Sequence, residues 1–457
     1  MSDGEGGSLG LAEVVAMGVG GMVSGGIYAI LGIAMKQSGN AVPVSYAIAG
    51  ALTLITAYSY VKLTLHFGEG GGVFSFIEHT IGDEHLAGYI GWVLLFGYVG
   101  VMAMYAYAFG AYSLTAAREL FGVELPQLLR PIFSASIVGI FVSLNLAGVE
   151  ETGFVEDVAV YFKVAVLLSF GTLGILYYDG DLASLTFFSE GYVSPIVGFA
   201  IIFVSYEGFQ LLVYDYKEIE DVERNLPLGM YLAIGIATLI YLLVSFMATL
   251  QLSAAELVHH QETALAKAVS NIPLLGEVGF VLVILSALKS TSSGINATLF
   301  GTARFAHKVA AEGKLPRVFS FRNREGIPVY ALLVVGGLTM LLTVFGELGQ
   351  ITEFGSVAFL SSYAVANFVN LRLRDRTDSN AVLPFLGLVG TAGALPVVLH
   401  HLYRTDPVVL AWILGLFVGL AVLEFAYMER QSLRESLEEL DLYSDAEIEK
   451  ILADRDE

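Results

Sequence analysis

The sequence predicts an all-α membrane protein of twelve transmembrane helices, arranged as two five-helix sets and a final pair, with helices 1 and 6 broken. Three observations carry that prediction. The 457 residues are 56% hydrophobic and only 15% charged, with a mean hydropathy of +0.71, far too apolar for a water-soluble protein of this size. The apolar residues gather into runs near 11–35, 41–66, 86–112, 131–149, 153–178, 193–214, 228–252, 274–300, 328–346, 350–371, 382–400 and 407–427. Two of these runs, the first and the sixth, contain small and polar residues that an uninterrupted span does not need.

The first run holds Gly18-Val-Gly-Gly-Met-Val-Ser-Gly-Gly-Ile-Tyr-Ala-Ile-Leu-Gly32, six glycines in fifteen residues. Each glycine costs about 1 kcal/mol relative to alanine inside a helix. Unwound backbone is tolerated at membrane depth only where protein or a water-filled cavity surrounds it, and there freed amides can hold a carboxylate and freed carbonyls an ammonium. The alternative is close packing of an unbroken helix through its small residues.

After helix 2 comes Phe67-Gly-Glu-Gly-Gly-Gly-Val-Phe74, a turn leading into a half-polar segment that runs to Glu84. Helix 5 carries Lys163, helix 6 Glu207 and helix 8 Lys289. Ionisable residues at this depth are costly and become functional candidates. Burial penalises the charged form of Lys163, which makes it a candidate for proton exchange. Snorkelling to an interface competes with a functional role for both lysines, and Glu207 could pair with either of them.

In helix 6, Ser205-Tyr206-Glu207-Gly208 is a second candidate break. Helices 1 and 6 are the first members of the sets 11–178 and 193–371, and interruptions at corresponding positions mark an inverted-repeat transporter with a site at the bilayer midplane. Residues 382–427 form the last two helices. The acidic ends, 1–10 and 428–457, lie in the cytoplasm by the basic residues of the loops: loops 6–7, 8–9 and 10–11 hold eleven lysines and arginines, against five on the opposite side. The tail has eleven acidic and four basic residues, and Ser432-x-x-Glu435 and Ser444-x-x-Glu447 resemble capping boxes opening short helices.

Several classes are disfavoured. Zero cysteines exclude disulfides and thiolate metal sites, and a net charge of −21 opposes nucleic-acid binding. His259-His260 and His400-His401 lack metal-ligand spacing, and no phosphate-binding Gly-x-x-x-x-Gly-Lys-Ser/Thr occurs, so neither an enzyme, a cofactor nor a metal site is expected. The acidic start is unlike a cleavable signal.

Four stretches, in order, resemble motifs of the amino acid–polyamine–organocation transporter superfamily, in its amino acid permease branch. They are Val23-Ser-Gly-Gly-Ile-Tyr28; Tyr60-Val-Lys-Leu63 with Gly70-Gly-Gly-Val-Phe74; Phe203 to Gln210 with Glu218 and Glu223-Arg-Asn-Leu-Pro227; and the stretch from Arg304 to Gly313-Lys-Leu-Pro316. The resemblance spans most of residues 11–427 and implies a LeuT-like 5+5 fold, alternating access and an amino acid substrate. It places the substrate carboxylate on the backbone of Val23, Ser24, Gly25 and Gly26, and the amine on carbonyls near Met22 and Ser205. Ser24, Ser205, Tyr206, Glu207 and Gly208 would border the substrate. Lys163 would replace a sodium ion beside the helix 8 hydroxyls of Ser292 and Ser293, giving proton coupling. The chain departs from the family at Lys62 (usually Glu), Val204 (often aromatic), Gln210 (often an acid) and Asp221-Val222 (often Asn-Pro), and Lys289 has no role to carry over. A polyamine or organic-cation carrier using Glu207, and a non-transporting sensor, are the competing readings.

Overall fold

A computed structural model describes residues 8–82, 84–148, 153–182, 185–188, 190–324 and 326–439. The polypeptide folds into α-helices and short 3-10 turns; the one extended pairing among the described residues is a single bridge between Leu9 and Ile219. The helices are α1 (Leu11–Met22), α2 (Leu31–Ser38), α3 (Val42–Phe67), α4 (Gly72–Ile81), α5 (Glu84–Phe121), α6 (Arg130–Leu146), α7 (Gly153–Leu176) and α8 (Ser194–Ile202). There follow α9 (Val222–Gln251), α10 (Ala254–His260), α11 (Ala264–Ser270), α12 (Gly276–Ala311), α13 (Val329–Phe345), α14 (Leu348–Arg372), α15 (Val382–Thr405) and α16 (Pro407–Glu439).

Among the described residues, nine helical stretches are long and apolar enough to cross a membrane, and three apolar helices, Leu11–Met22, Val160–Leu176 and Val329–Phe345, are shorter than that. The first shortfall has a local cause. The glycine-rich run does not continue as helix past Met22; residues 23–30 form successive turns before α2 starts. The half-polar segment after helix 2 becomes α4, reached through Gly68 in the left-handed region at φ 68°.

Burial orders the helices. The apolar window of α5 is 83% buried, while that of α16 is only 22% buried, so α5 is interior and α16 peripheral. A helix that is apolar on all sides can occupy either place; α5 takes the centre because α6, α12, α13 and α14 pack around it. On the other side α9 packs against α1, α3 and α7. The interrupted segment after α1 lies between these two groups, with every residue from Met22 to Met35 buried.

Ser432, expected to open a new helix, lies inside α16, which runs on to Glu439. Ser444 lies outside the described residues.

Candidate functional site

A helix that stops inside a protein leaves its last carbonyls without partners, and here side chains from four other helices supply them. Lys163 Nζ on α7 donates to Gly20 O at 3.1 Å, and the Ser24 hydroxyl turns back onto the same oxygen. Tyr105 of α5 donates to Gly21 O at 3.4 Å, Tyr241 of α9 to Met22 O at 2.6 Å, and Ser290 of α12 to Val23 O at 3.0 Å. Beyond the turn, Tyr46 of α3 reaches Gly26 O at 3.4 Å. The amides are a different matter. Val23 N and Ala29 N bond to Val19 O and Gly25 O, whereas among the described residues no backbone carbonyl accepts from the amides of Ser24, Gly25 or Gly26.

Helix 6 breaks in the same layer. α8 ends at Ile202, a 3-10 turn covers Phe203–Tyr206, Glu207 is extended, and Gly208 at φ 125° starts a second 3-10 turn over Phe209–Val213. That φ is closed to L side chains, and a Cβ on Gly208 would stand 2.7 Å from the carbonyl carbon of Gly21. The two interruptions therefore touch glycine to glycine. Close packing and helix breaking, alternatives in the sequence, are both served by these residues. Gly25 makes room for the Tyr105 ring, because its Cβ would fall 2.0 Å from Tyr105 Cδ1.

The break in helix 6 carries the polar side chains. Ser205, 1% exposed, lies beside the Tyr46 hydroxyl without the geometry of a hydrogen bond, so its own hydroxyl has no partner. Glu207 is buried and accepts from Gln210 Nε2 at 3.0 Å. Among the described residues no cation stands within 4.0 Å of it, so the pairing of Glu207 with Lys163 or Lys289 is not formed. Gln210 is the hub of the group. Its Oε1 accepts from Gly208 N at 3.0 Å and Tyr363 Oη at 2.8 Å, and its Nε2 also lies 3.4 Å from the Tyr98 hydroxyl, which meets that of Tyr214 at 3.0 Å. Tyr206 points away from these groups and donates to Tyr46 O at 2.9 Å.

Other expected residues fall elsewhere. Lys163 is buried and also reaches Ser290 Oγ at 3.4 Å; Ser292 bonds its own helix at Leu288 O, 2.6 Å away, and Ser293 is half-buried. Ser290, not singled out from the sequence, is thus the helix 8 hydroxyl beside the lysine. Lys289 lies on the exposed face of α12 in line with Leu282 and Leu285, away from the site. Lys62 donates to Asp378 O at 2.8 Å and so fastens the loop after α14. Tyr241, Tyr105 and Tyr363 also escaped the sequence reading, their only signal a polar tip within an apolar run; Gln210 stood out only as a departure from the family's usual acid, not as a hub.

Toward the face that carries the N-terminus, Arg304 of α12 meets Asp215 at 3.7 Å and Glu218 at 3.9 Å. Burial pushes the Asp215 carboxyl up to about 6, against the opposing pull of Arg304. Leu9 N donates to Glu218 O and Glu220 N to Leu9 O, both at 2.9 Å, which ties the start of the chain to the exit of helix 6. On the opposite face the Tyr107 hydroxyl bonds Glu262 at 2.8 Å, and the Arg130 guanidinium lies 3.6 Å from the Tyr107 ring centre. Among the described residues no group of three or more His, Cys, Asp or Glu side chains could hold a metal ion.

Comparison with known proteins places this arrangement. The family model described as "Amino acid permease" matches residues 9–437. The inner membrane transport protein YbaT of Escherichia coli (strain K12) is 30% identical over 411 residues, covering 89% of this chain and 93% of its own. The methylthioribose transporter of Bacillus subtilis (strain 168) is 25% identical, covering 92% and 93%. Cationic amino acid transporter 3, mitochondrial, of Arabidopsis thaliana is 24% identical over 77% of this chain and 60% of its own.

Proposed function

Since the chain belongs to the amino acid permease family, a family of membrane transporters, we propose that it carries amino acids across the cytoplasmic membrane as a secondary active, proton-linked transporter. One observation carries the reading. The amides of Ser24, Gly25 and Gly26, which among the described residues have no backbone carbonyl partner, belong to the same interruption as the Met22 carbonyl, and Tyr241 joins that carbonyl to Ser205 O of the second interruption, whose hydroxyl is unpartnered. Donors for a carboxylate and acceptors for an ammonium in neighbouring backbone suit the common part of every α-amino acid. In this reading the chain crosses the membrane twelve times in a LeuT-like 5+5 arrangement, with repeats 11–178 and 193–371, accessory helices in 382–427 and both termini cytoplasmic.

Proton linkage rests on Lys163. Its ammonium joins helix 5 to the last turn of α1 and, through Ser290, to helix 8, so loss of its charge weakens one tie among three elements. A second reading, a carrier of cationic amino acids or polyamines, is favoured by Glu207: a buried acid beside Ser205, among whose neighbours no cation is described. A thermal-shift screen of the purified protein in high salt at two pH values separates the readings, because a ligand that binds the folded state raises its melting temperature. Shifts with neutral or acidic amino acids, followed by uptake into liposomes, support the first reading. Shifts confined to polyamines and basic amino acids support the second. There, Glu207→Gln lowers uptake of cationic substrates about tenfold, the value of one charged hydrogen bond, and spares neutral ones; equal loss for both classes removes Glu207 from substrate recognition.

A further inference from the structure

The hydroxyl of Tyr241 occupies the ground that a substrate amine would need. It lies 2.6 Å from Met22 O and 2.8 Å from Ser205 O, one carbonyl from each interruption. A Cβ built on Gly26 would stand 2.5 Å from the same hydroxyl, 2.6 Å from Ser205 O and 2.9 Å from Met22 O, so these groups share one small space. A phenol has a single hydrogen. It serves one carbonyl at a time and turns its lone pairs on the other, at hydrogen-bond distance. An ammonium brings three hydrogens and a full charge, and bonds of that kind are roughly twice as strong as neutral ones. The tyrosine ring cannot simply swing aside. It is fully buried, with the rings of Tyr46 and Tyr206 each centred 5.1 Å away.

Building on the amino acid reading above, we propose that the Tyr241 hydroxyl holds the place of the substrate ammonium and that substrate binds by displacing it. Tyr241 is then a specificity-determining residue of a particular kind, a built-in competitor. It makes occupation of the site conditional on a group that can satisfy both carbonyls at once. Because the ring is fully buried against two other rings, displacement carries α9 with it. The phenol is a tie from α9 to both interruptions, and the substrate amine releases that tie as it binds.

The test uses the full chain in detergent. The twenty protein amino acids are screened singly by thermal shift on the wild type, and the one with the largest shift is titrated beside its deaminated analogue. Tyr241→Phe removes only the competing oxygen; the amino acid should bind three- to tenfold more tightly, while the affinity for the deaminated analogue stays the same. Tyr112→Phe removes another buried tyrosine-to-carbonyl bond, the 3.3 Å contact with Tyr28 O, and should leave both affinities unchanged. Unchanged or weaker amino acid binding by Tyr241→Phe overturns the proposal, as does equal tightening by Tyr112→Phe, which would signal general loosening. If Tyr241→Phe does not fold, Tyr241→Met, which also lacks the hydroxyl, carries the same expectation. A wild type that binds none of the twenty overturns the amino acid reading itself, an outcome distinct from a wild type that binds and a variant that gains nothing.

Discussion

Lys163 shows how much a single residue was legible and where legibility stopped. A lysine inside an apolar run stands out in any sequence, because an unsatisfied ammonium at that depth is costly. Its partners do not stand out. Gly20 O is available only because α1 stops two residues later, and Ser290, not Ser292 or Ser293, faces it because a one-residue step turns a helix by 100°. Lys163→Ala is expected to abolish the pH dependence of uptake into liposomes while leaving substrate-induced thermal shifts measurable. Uptake that keeps its pH dependence would take the coupling role from Lys163. Lys289 gave the same signal in sequence and proved to lie on the outer face of α12. Residue type could not separate the two lysines; only the packing around each did.

At the scale of elements, the interruptions in helices 1 and 6 were visible as runs of glycine and small polar residues, and the structure breaks both. Their mutual contact was not visible. Gly21 and Gly208 meet because the two interruptions occupy the same layer, a fact about tertiary arrangement. Gly208→Ala tests that contact directly. The added methyl meets both a forbidden φ and the Gly21 backbone, so the cost is on the order of 2–3 kcal/mol. The expected result is a lower melting temperature in detergent and loss of substrate-induced shift. A variant with wild-type stability would mean that the interruptions can separate without loss. The ends of the helices were less legible. α12 runs to Ala311 and α5 to Phe121, well past their apolar runs, because polar residues extend a helix outside the membrane as readily as apolar ones extend it inside.

At the scale of the whole molecule, one face is held by charges and by backbone pairing. Arg304 joins α12 to Asp215 and Glu218, and Leu9 pairs with the same segment. Asp215 has a folded-state value near 6, above its ordinary 3.8, so between these values the folded protein binds more protons than the unfolded one. Stability from this group is therefore present at low pH and falls as pH rises from about 4 through 6. Asp215→Asn, which mimics the protonated form, should raise the melting temperature at pH 7.5 relative to wild type, and the gain should shrink as the pH approaches 4. A gain independent of pH would assign the effect to packing and not to the charge.

Composition and periodicity by themselves determined that this is a helical, membrane-embedded chain, because the cost of burying backbone and charge in lipid constrains every residue of every span. Local motifs likewise determined its family, since the matching stretches keep their order along the chain. Tertiary structure alone decided which groups meet: Tyr241 with both broken helices, Gln210 with Tyr363, and Ser290 with Lys163. Those contacts join residues as far as 219 positions apart. Nothing in a local pattern registers such a pairing, because the hydrogen bond of a buried side chain depends on the helix that folds against it and not on its neighbours in sequence.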